Sequence, residues 1–414
     1  MRYTAPMNIA LFSDCYSPTK NGVVTVVMQL RTILRKMGHH VVVVTVDTSK
    51  LENGVKDNDP CVLRTPSVPL GLGTDHFIGF PHKAKILEFL KTHHVELIHS
   101  HTEFVIAHAA KVLAKTLRIP AIVTTHTMWE DFYPYYIPMG KLIPVRIVRK
   151  LTKRIYRKFY AMINVSEKAH RYFKQPFMLP NVPSAIIPNA VDTAAFEAKK
   201  DTKADLEETR RTWGIGKDDT LLLFVGRIGE EKRVFELLDI CANVLRRAGS
   251  RVKVLFVGNG PALTEMKHTV RRLELTEKII FTGFLSWDHL HTYYAMSDIF
   301  VTASLSEMHS MTILEAMISA LPIVVRDDVS FHDTISDGQN GFLTASDAEM
   351  EERILELIQD SGKRRKFGKK SLEMSRKFSL ETHGKKTEAF YQAVLESYPG
   401  KLDEKKLVER INAV

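Results

Sequence analysis

The chain has 414 residues, above the roughly 250–300 at which a single hydrophobic core stops growing, so two domains are expected. With 44% hydrophobic and 26% charged residues it reads as an ordinary globular protein, and no apolar run reaches the length of a membrane-spanning helix. The net charge of +10 points to an anionic partner, which can be nucleic acid, an acidic membrane surface or a phosphorylated substrate.

The leader Met1–Pro6 is short and polar, without an apolar segment that would direct secretion. Cys15, Cys61 and Cys241 are scattered and odd in number, which suits neither a disulfide framework nor a zinc ribbon, so a reducing cytoplasm is expected. The first expected strand is Ile9–Phe12. A helix-period segment follows (Val23, Val26, Leu30, Ile33, Leu34, Met37), stopped by Gly38, and then a strand at Val41–Val46. Strands are expected again at Val95–His99, Ala121–Thr125 and Ala161–Val165, with helical patterns between them. Such alternation marks a buried parallel sheet covered on both faces, so residues 1–187 are expected to form a doubly wound α/β domain. The Pro-rich stretch Pro180–Asp192 breaks the pattern, and the charged run Asp201–Thr212 follows. Leu221–Val225, Arg251–Val257, Lys278–Phe281, Asp298–Val301 and Pro322–Val325 then repeat the theme, giving a second doubly wound domain over 188–378. The remaining 379–414 contain the amphipathic Glu388–Leu395 with no strand after it, and are expected to cross back onto the first half.

Candidate chemistry gathers at the carboxyl ends of these strands, where open α/β sheets bind ligands. The first βα turn carries Asn21-Gly22, without a dinucleotide-binding glycine spacing, and also fits a plain tight turn. In the second half Gly226-Arg227 ends the first strand and Lys232 follows, an Arg and a Lys suited to neutralising a diphosphate leaving group. Gly258-Asn259-Gly260 permits close backbone approach at the same edge. The stretch from Glu307 through His309, Ser310, Met311 and Thr312 to Glu315 sets two carboxylates eight residues apart around a helix N-terminus, whose unpaired amides suit a phosphate. Either acid taken alone reads as an ordinary helix-surface carboxylate.

In the first half, His99-Ser100-His101-Thr102-Glu103-Phe104 and Thr125-His126-Thr127-Met128-Trp129-Glu130-Asp131 lie at two strand ends. Their histidines lack further ligands at recognisable metal spacing, so no metal is assigned there. Asp57-Asn58-Asp59 reads as a solvated loop.

Together these residues resemble the retaining glycosyltransferases of the two-Rossmann GT-B type, glycosyltransferase family 4. That group includes sucrose synthase, phosphatidylinositol mannosyltransferases and bacterial diacylglycerol glucosyltransferases. The resemblance is carried by Glu307-x7-Glu315, by Gly226-Arg227 with Lys232, by Asn21-Gly22 and by Pro188-Asn189-Ala190-Val191-Asp192, and spans Met7 to about Leu395. It implies two Rossmann-like domains facing across a cleft. It further implies that Arg227 and Lys232 hold the diphosphate, that Glu315 binds the ribose, that Glu307 touches the transferred sugar, and that His126 sits near the reacting carbon. Gly22, Gly226, Gly258, Asn259, His309, Ser310, Met311 and Thr312 would complete the donor site, and Asn21, Glu103, Trp129 and Asp131 would meet the acceptor. His99 would pack beneath the loop. The family often has glycine where Ser310 stands. No metal or other cofactor is implied.

Between Asp131 and Glu167 no acidic residue occurs, while cations accumulate, among them Arg149, Lys150, Lys153, Arg154, Arg157 and Lys158. Val148, Leu151, Ile155 and Phe159 recur at helical spacing beside them, and Trp129, Phe132, Tyr133, Tyr135 and Tyr136 precede them. A solvated helix with its stripe on the sheet is one reading; contact with an anionic membrane surface is the better one. No nucleic-acid motif accompanies the cations, so nucleic acid ranks well behind. The strings Ser13–Pro18, His101–Phe104 and Thr125–Asp131 look most like the diacylglycerol glucosyltransferase branch. That likeness implies a UDP-sugar donor carrying glucose or galactose, a diacylglycerol acceptor and retention at the anomeric carbon. The alternatives are another acceptor (phosphatidylinositol, a soluble sugar or a polysaccharide) and a non-catalytic basic membrane-binding module.

Overall fold

The computed structural model describes residues 5–19, 21–49, 59–69, 77–136, 139–193 and 201–414. The chain divides into two compact units, one made of Met1–Glu130, Leu142–Ala190 and Leu380–Val414, the other of Asp131–Lys141 and Val191–Ser379.

In the first unit β1 (Asn8–Phe12) leads into helix α1 (Gly22–Lys36) and β2 (His40–Val46). Asn21 caps α1, its side-chain oxygen accepting from the Val24 amide at 2.9 Å. Arg35 and Lys36 lie in the last turn, where the helix dipole favours cations, and Gly38 follows at φ +94°. The chain continues through β3 (Val62–Thr65), a small antiparallel pair β4 (Ser67–Pro69) and β5 (Phe77–Gly79), α2 (Lys83–Thr92), β6 (Leu97–Ser100) and α3 (Val105–Leu117). It goes on to β7 (Ala121–Thr125), α4 (Trp129–Tyr136), α5 (Val145–Tyr156), β8 (Ala161–Asn164), α6 (Glu167–Phe173) and β9 (Ser184–Ile186). Seven of these strands form one parallel sheet in the order β3-β2-β1-β6-β7-β8-β9. The strand order reverses at β1/β6, the place where a doubly wound sheet opens for a ligand.

The second unit contains α7 (Lys203–Thr212), β10 (Thr220–Val225), α8 (Val234–Ala248), β11 (Val252–Val257), α9 (Leu263–Arg272), β12 (Ile279–Gly283), α10 (Trp287–Ala295) and β13 (Ile299–Thr302). It closes with α11 (Met311–Ile318), β14 (Ile323–Arg326), β15 (Gly341–Thr344), α12 (Asp347–Gln359) and α13 (Ser361–Ser375). Its parallel sheet has the order β12-β11-β10-β13-β14-β15, reversing at β10/β13. Strand residues alternate between two cores. Leu222, Phe224, Val254 and Phe256 pack on one face, Leu221, Leu223, Val225 and Leu255 on the other.

The chain then returns to the first unit as α14 (Leu380–Ser397) and α15 (Glu404–Asn412). Phe390, Tyr391, Val394, Leu407 and Ile411 share one core with Ile9, Leu11, Val27 and Ile33. Gly384 is required for this contact, since a Cβ there would sit 2.6 Å from Ile33 Cγ1.

Several elements differ from the sequence reading. Strands β3, β9 and β15, of three or four residues each, stand at sheet edges and mix polar residues or glycine with their apolar ones, so they lack the apolar run that marks a buried strand. The stretch Asp131–Lys141, expected within a continuous first domain, groups with the second unit. There Gly140 lies under the Tyr133 carbonyl, with a Cβ position only 2.1 Å from that oxygen. Asp59, read as part of a solvated loop, pairs with Arg31 at 2.6 Å; Asp57 and Asn58 lie outside the described residues.

Candidate active site

In the second unit the loops after β10, β11 and β12 are stitched together at the carboxyl edge of the sheet. Gly226 N donates to Val257 O at 3.0 Å, Ile228 N to Asn259 O at 3.0 Å and Gly258 N to Gly283 O at 2.9 Å. A Cβ on Gly258 would lie 1.9 Å from Gly226 O, and one on Gly260 would lie 2.2 Å from Ile228 O. These glycines are required for two backbones to touch, and Gly258 also has φ +139°.

Arg227 and Lys232 follow directly, Lys232 closing a single 3-10 turn (Glu230–Lys232) just before α8 rather than opening the helix itself. Each cation is held by a carboxylate. Arg227 Nε lies 3.7 Å from Oε1 of the buried Glu231, and Lys232 Nζ lies 2.5 Å from Glu307 Oε1. Ser306 donates its hydroxyl to Glu231 O at 2.8 Å, tying the 3-10 turn to the loop after β13. Two positive groups and one partly exposed carboxylate therefore stand at the switch point of this sheet.

The same loop enters α11. Ser310 stands at the N-cap in an extended conformation, yet its hydroxyl is 3.0 Å from Thr312 Oγ1, and its side chain makes no capping bond to the helix. The first amides of α11, on Met311, Thr312 and Ile313, are thus left to an incoming acceptor such as a phosphate. His309 Nε2 lies 3.2 Å from Asp333 Oδ2, and its ring rests on Phe378. Glu315 is buried in α11 and accepts from Tyr294 Oη at 2.7 Å, which removes the helix-surface reading of this acid. Burial, with the Glu315 charge beside it, raises the Tyr294 pKa well above its ordinary value, so the phenol stays a donor.

In the first unit Asp14, after β1, bonds across the switch point. Its carboxylate accepts from Thr102 Oγ1 at 2.6 Å and from the Ile106 amide at 3.0 Å, serving the N-terminus of α3. Beside it runs a row of buried histidines. His99 contacts Tyr391 Oη and Thr124 Oγ1, both at 2.6 Å, and so packs beneath the loop. His101 Nδ1 is 3.1 Å from His126 Nε2 with the rings stacked, and His383 adds its field. Burial first, then the neighbouring imidazoles, lowers all three: His126 falls to about 3, and His99 and His101 drop well below the ordinary range. These shifts favour neutral rings along the row, whose contacts run from Tyr391 and Thr124 through His99 and from His101 to His126.

The expected acceptor residues lie at the cap of α1, just before α3 and on α4. Asn21 spends its side-chain oxygen on capping α1, and Gly22 is already helical, with nothing within 4 Å of its Cβ position, so it provides open space rather than a special turn. Glu103 is buried and accepts from Tyr156 Oη at 2.5 Å; burial pushes its pKa up to about 7 despite that bond. Trp129 packs edge-on against the half-exposed Phe104. Trp129 and Asp131 share α4, whose residues from Asp131 onward group with the second unit.

Helix α5 is turned differently from the expected stripe. Val148, Thr152 and Tyr156 are buried, whereas Leu151 is 58% and Ile147 54% exposed. Arg149 is not a free surface cation: its guanidinium is bidentate to Glu130, both bonds at 2.7 Å. Lys153 donates to Phe177 O at 3.1 Å. Lys150, Arg154, Arg157 and Lys158 are exposed. Between α3 and α5 lies a cavity of about 810 Å³ lined by Glu103, Phe104, Leu151, Arg154, Ile155 and Lys158 among others. Among the described residues no helix is long and apolar enough to cross a membrane.

Sequence reasoning missed Glu231, Tyr294, Asp333, Tyr391 and His383, which position the residues it did find. Only Glu231, one place before Lys232, carried a local signal.

Two doubly wound parallel sheets, each with polar residues at its switch point, define the GT-B class of glycosyltransferases. The chain belongs to glycosyltransferase family 4: residues 20–195 match the model "Glycosyltransferase Family 4" and residues 205–374 the model "Glycosyl transferases group 1". The alpha-monoglucosyldiacylglycerol synthase of Streptococcus pneumoniae is 32% identical over 352 residues, covering 85% of this chain and 78% of that protein. The enzyme of the same name from Acholeplasma laidlawii is 26% identical over 412 residues, covering 96% and 100%. Among solved structures, Anabaena Alr3699/HepE in complex with UDP and glucose superposes with a TM-score of 0.72 at 20% identity, covering 93% of this chain and 99% of that one. The protein is therefore a glycosyltransferase.

Proposed function

We propose that this glycosyltransferase moves a hexose, glucose in the first instance, from a UDP-sugar to 1,2-diacylglycerol, with retention at the anomeric carbon, at the anionic inner face of the cell membrane. The names of the two relatives and the UDP complex of the structural neighbour support this donor and acceptor. The observation that carries the lipid reading is the exposed face of α5, where Ile147 and Leu151 stand among Lys150, Arg154, Arg157 and Lys158. Apolar groups for the acyl boundary and cations for anionic headgroups are what a peripheral membrane helix requires.

The donor would bring its diphosphate to Arg227, Lys232 and the uncapped N-terminus of α11. Charge developing on the leaving UDP is stabilised there by fixed donors, without a metal or other cofactor. Glu307 would exchange Lys232 for the hydroxyls of the transferred sugar, and Glu315 would take the ribose. His126, held neutral, would hydrogen-bond the sugar without adding charge. The acceptor hydroxyl attacks the anomeric carbon from the face that UDP leaves, and its proton passes to the departing phosphate oxygen. Incubation with a panel of UDP- and GDP-sugars, with diacylglycerol in anionic vesicles, tests the assignment. An α-hexosyl diacylglycerol from a UDP-sugar is expected; transfer from GDP-sugars alone, or only to soluble acceptors, would overturn it.

A further inference from the structure

His40, Cys61 and His93 come from three separate elements of the first unit: the start of β2, the residue before β3 and the C-cap of α2. One nitrogen from each ring and the Cys61 Sγ all lie within 4.8 Å of one another. The rings meet Nε2 to Nδ1 at 2.9 Å, stacked with centroids 5.1 Å apart. Donors bound tetrahedrally at about 2.0–2.3 Å from one zinc ion sit roughly 3.3–3.7 Å apart, so small side-chain rotations separate the rings and draw in the sulfur.

The backbone beneath each donor is already fixed. His40 N donates to Met7 O at 2.9 Å; Cys61 N donates to Asp59 Oδ1 at 2.9 Å while Cys61 O accepts from Val43 N at 2.8 Å; His93 N donates to Phe89 O at 3.1 Å. Phe89 also packs edge-on against the His93 ring at 4.6 Å.

We propose that His40, Cys61 and His93 form a zinc site, with water as the fourth ligand, that clamps the edge strand β3 to β2 and α2. Two imidazoles and a thiolate are a zinc-type donor set. Binding displaces the ring-to-ring hydrogen bond; the ring that donated its N–H there changes tautomer, so that both imidazoles carry their proton on the remote nitrogen, and the Cys61 thiol proton is released to solvent. The site has a structural purpose. β3 ends the seven-stranded sheet, and an edge strand of four residues holds few ladder bonds of its own. No sequence spacing announces this trio, because the donors meet only through the sheet register and the return of α2. The inference is independent of the reaction assigned above.

The test uses the full-length, tag-free protein stripped by chelator. Zinc titration against a competing chelator dye is expected to give one site per chain, and cobalt(II) substitution a thiolate-to-cobalt charge-transfer band. Cys61→Ser should abolish that band and Cys241→Ala should keep it. His93→Ala should weaken zinc at least about tenfold, no less than the loss of an outer-shell partner costs. Zinc should raise the thermal midpoint of the unaltered protein and leave that of Cys61→Ser in place. No charge-transfer band in the unaltered protein, or equal zinc affinity in Cys61→Ser, overturns the proposal; the first readout needs no variant to fold.

Discussion

Lys232 and Glu307 hold each other at 2.5 Å, and Arg227 leans on the buried Glu231, so both cations are held in place at the sheet edge where the diphosphate is proposed to bind. Arg227→Ala and Lys232→Ala are each expected to lower turnover by about 10²–10³, the usual cost of one preorganised donor to a developing charge. Thermal midpoints should move little, and near-normal rates in both would sink the diphosphate role. Glu307→Gln keeps an oxygen for Lys232 and should impair transfer while preserving the fold. Glu315→Gln keeps an acceptor for Tyr294 and should weaken UDP in calorimetry; unchanged UDP affinity would remove the ribose role. The histidine row sets an acid dependence. Folded pKa values below the ordinary 6.5 mean that the native state binds fewer protons than the unfolded chain, so stability is lost as pH falls below about 6.5 towards 3 and is flat above. Glu103, raised from 4.5 to about 7, acts with the opposite sign between those values. His99, His101 and His126, joined by the lowered His40, His108 and His170, outweigh the raised Glu103, Glu96 and Asp14, so urea midpoints should fall between pH 6.5 and 4.5, more steeply in Glu103→Gln. Midpoints rising with acid would contradict the neutral row. The residues that make these effects were legible in part: His126 and Glu103 stood out at strand ends, but Tyr391 and Tyr156 lie hundreds or tens of residues away, and such pairings leave no local mark.

At the scale of elements, the glycines of the β10 and β11 loops give the sharpest contrast. Gly258→Ala must push a Cβ into Gly226 O at positive φ, whereas Gly214, at φ +66°, has open space. Gly214→Ala should cost about 1 kcal/mol and Gly258→Ala at least about 2–3 kcal/mol, with loss of UDP binding. Equal costs in chemical denaturation would mean that the two loops are not pressed together. Helix α5 separates two readings of one apolar pattern. The spacing of Val148, Leu151 and Ile155 marks a helix, but it does not say which of several adjacent stripes faces the sheet. Tyr156 and Thr152 fill the buried face, and Leu151 is left outside. Ile147→Ser with Leu151→Ser should therefore leave stability within about 0.5 kcal/mol, as for other exposed sites, yet remove the salt-resistant part of vesicle binding. Gln at Lys150, Arg154, Arg157 and Lys158 should remove the salt-sensitive part, at about 1 kcal/mol for each charge near anionic lipid. A large loss of stability in the double Ser variant would return Leu151 to the core. Arg149→Gln, which breaks the pair with Glu130, should act on stability instead.

For the molecule as a whole, the alternation of strand and helix periods was enough to read two doubly wound sheets, because a buried parallel strand is a short apolar run that needs no partner to be seen. The edge strands β3, β9 and β15, and the grouping of Asp131–Lys141 with the second unit, depend on neighbours in space and were not legible. The return of the chain through α14 follows from its apolar residues with no strand left to cover, and Phe390 and Tyr391 fill the core beneath β1. Family and fold place a sugar on a nucleotide; the acceptor is the central claim. The most direct measurement supplies UDP-glucose and diacylglycerol in anionic vesicles to the purified protein and determines the lipid product and its anomeric configuration by NMR. An α-glucosyl diacylglycerol formed with one UDP released per lipid is the predicted result. UDP release at the same rate with vesicles lacking diacylglycerol, or a β-linked product, would contradict it.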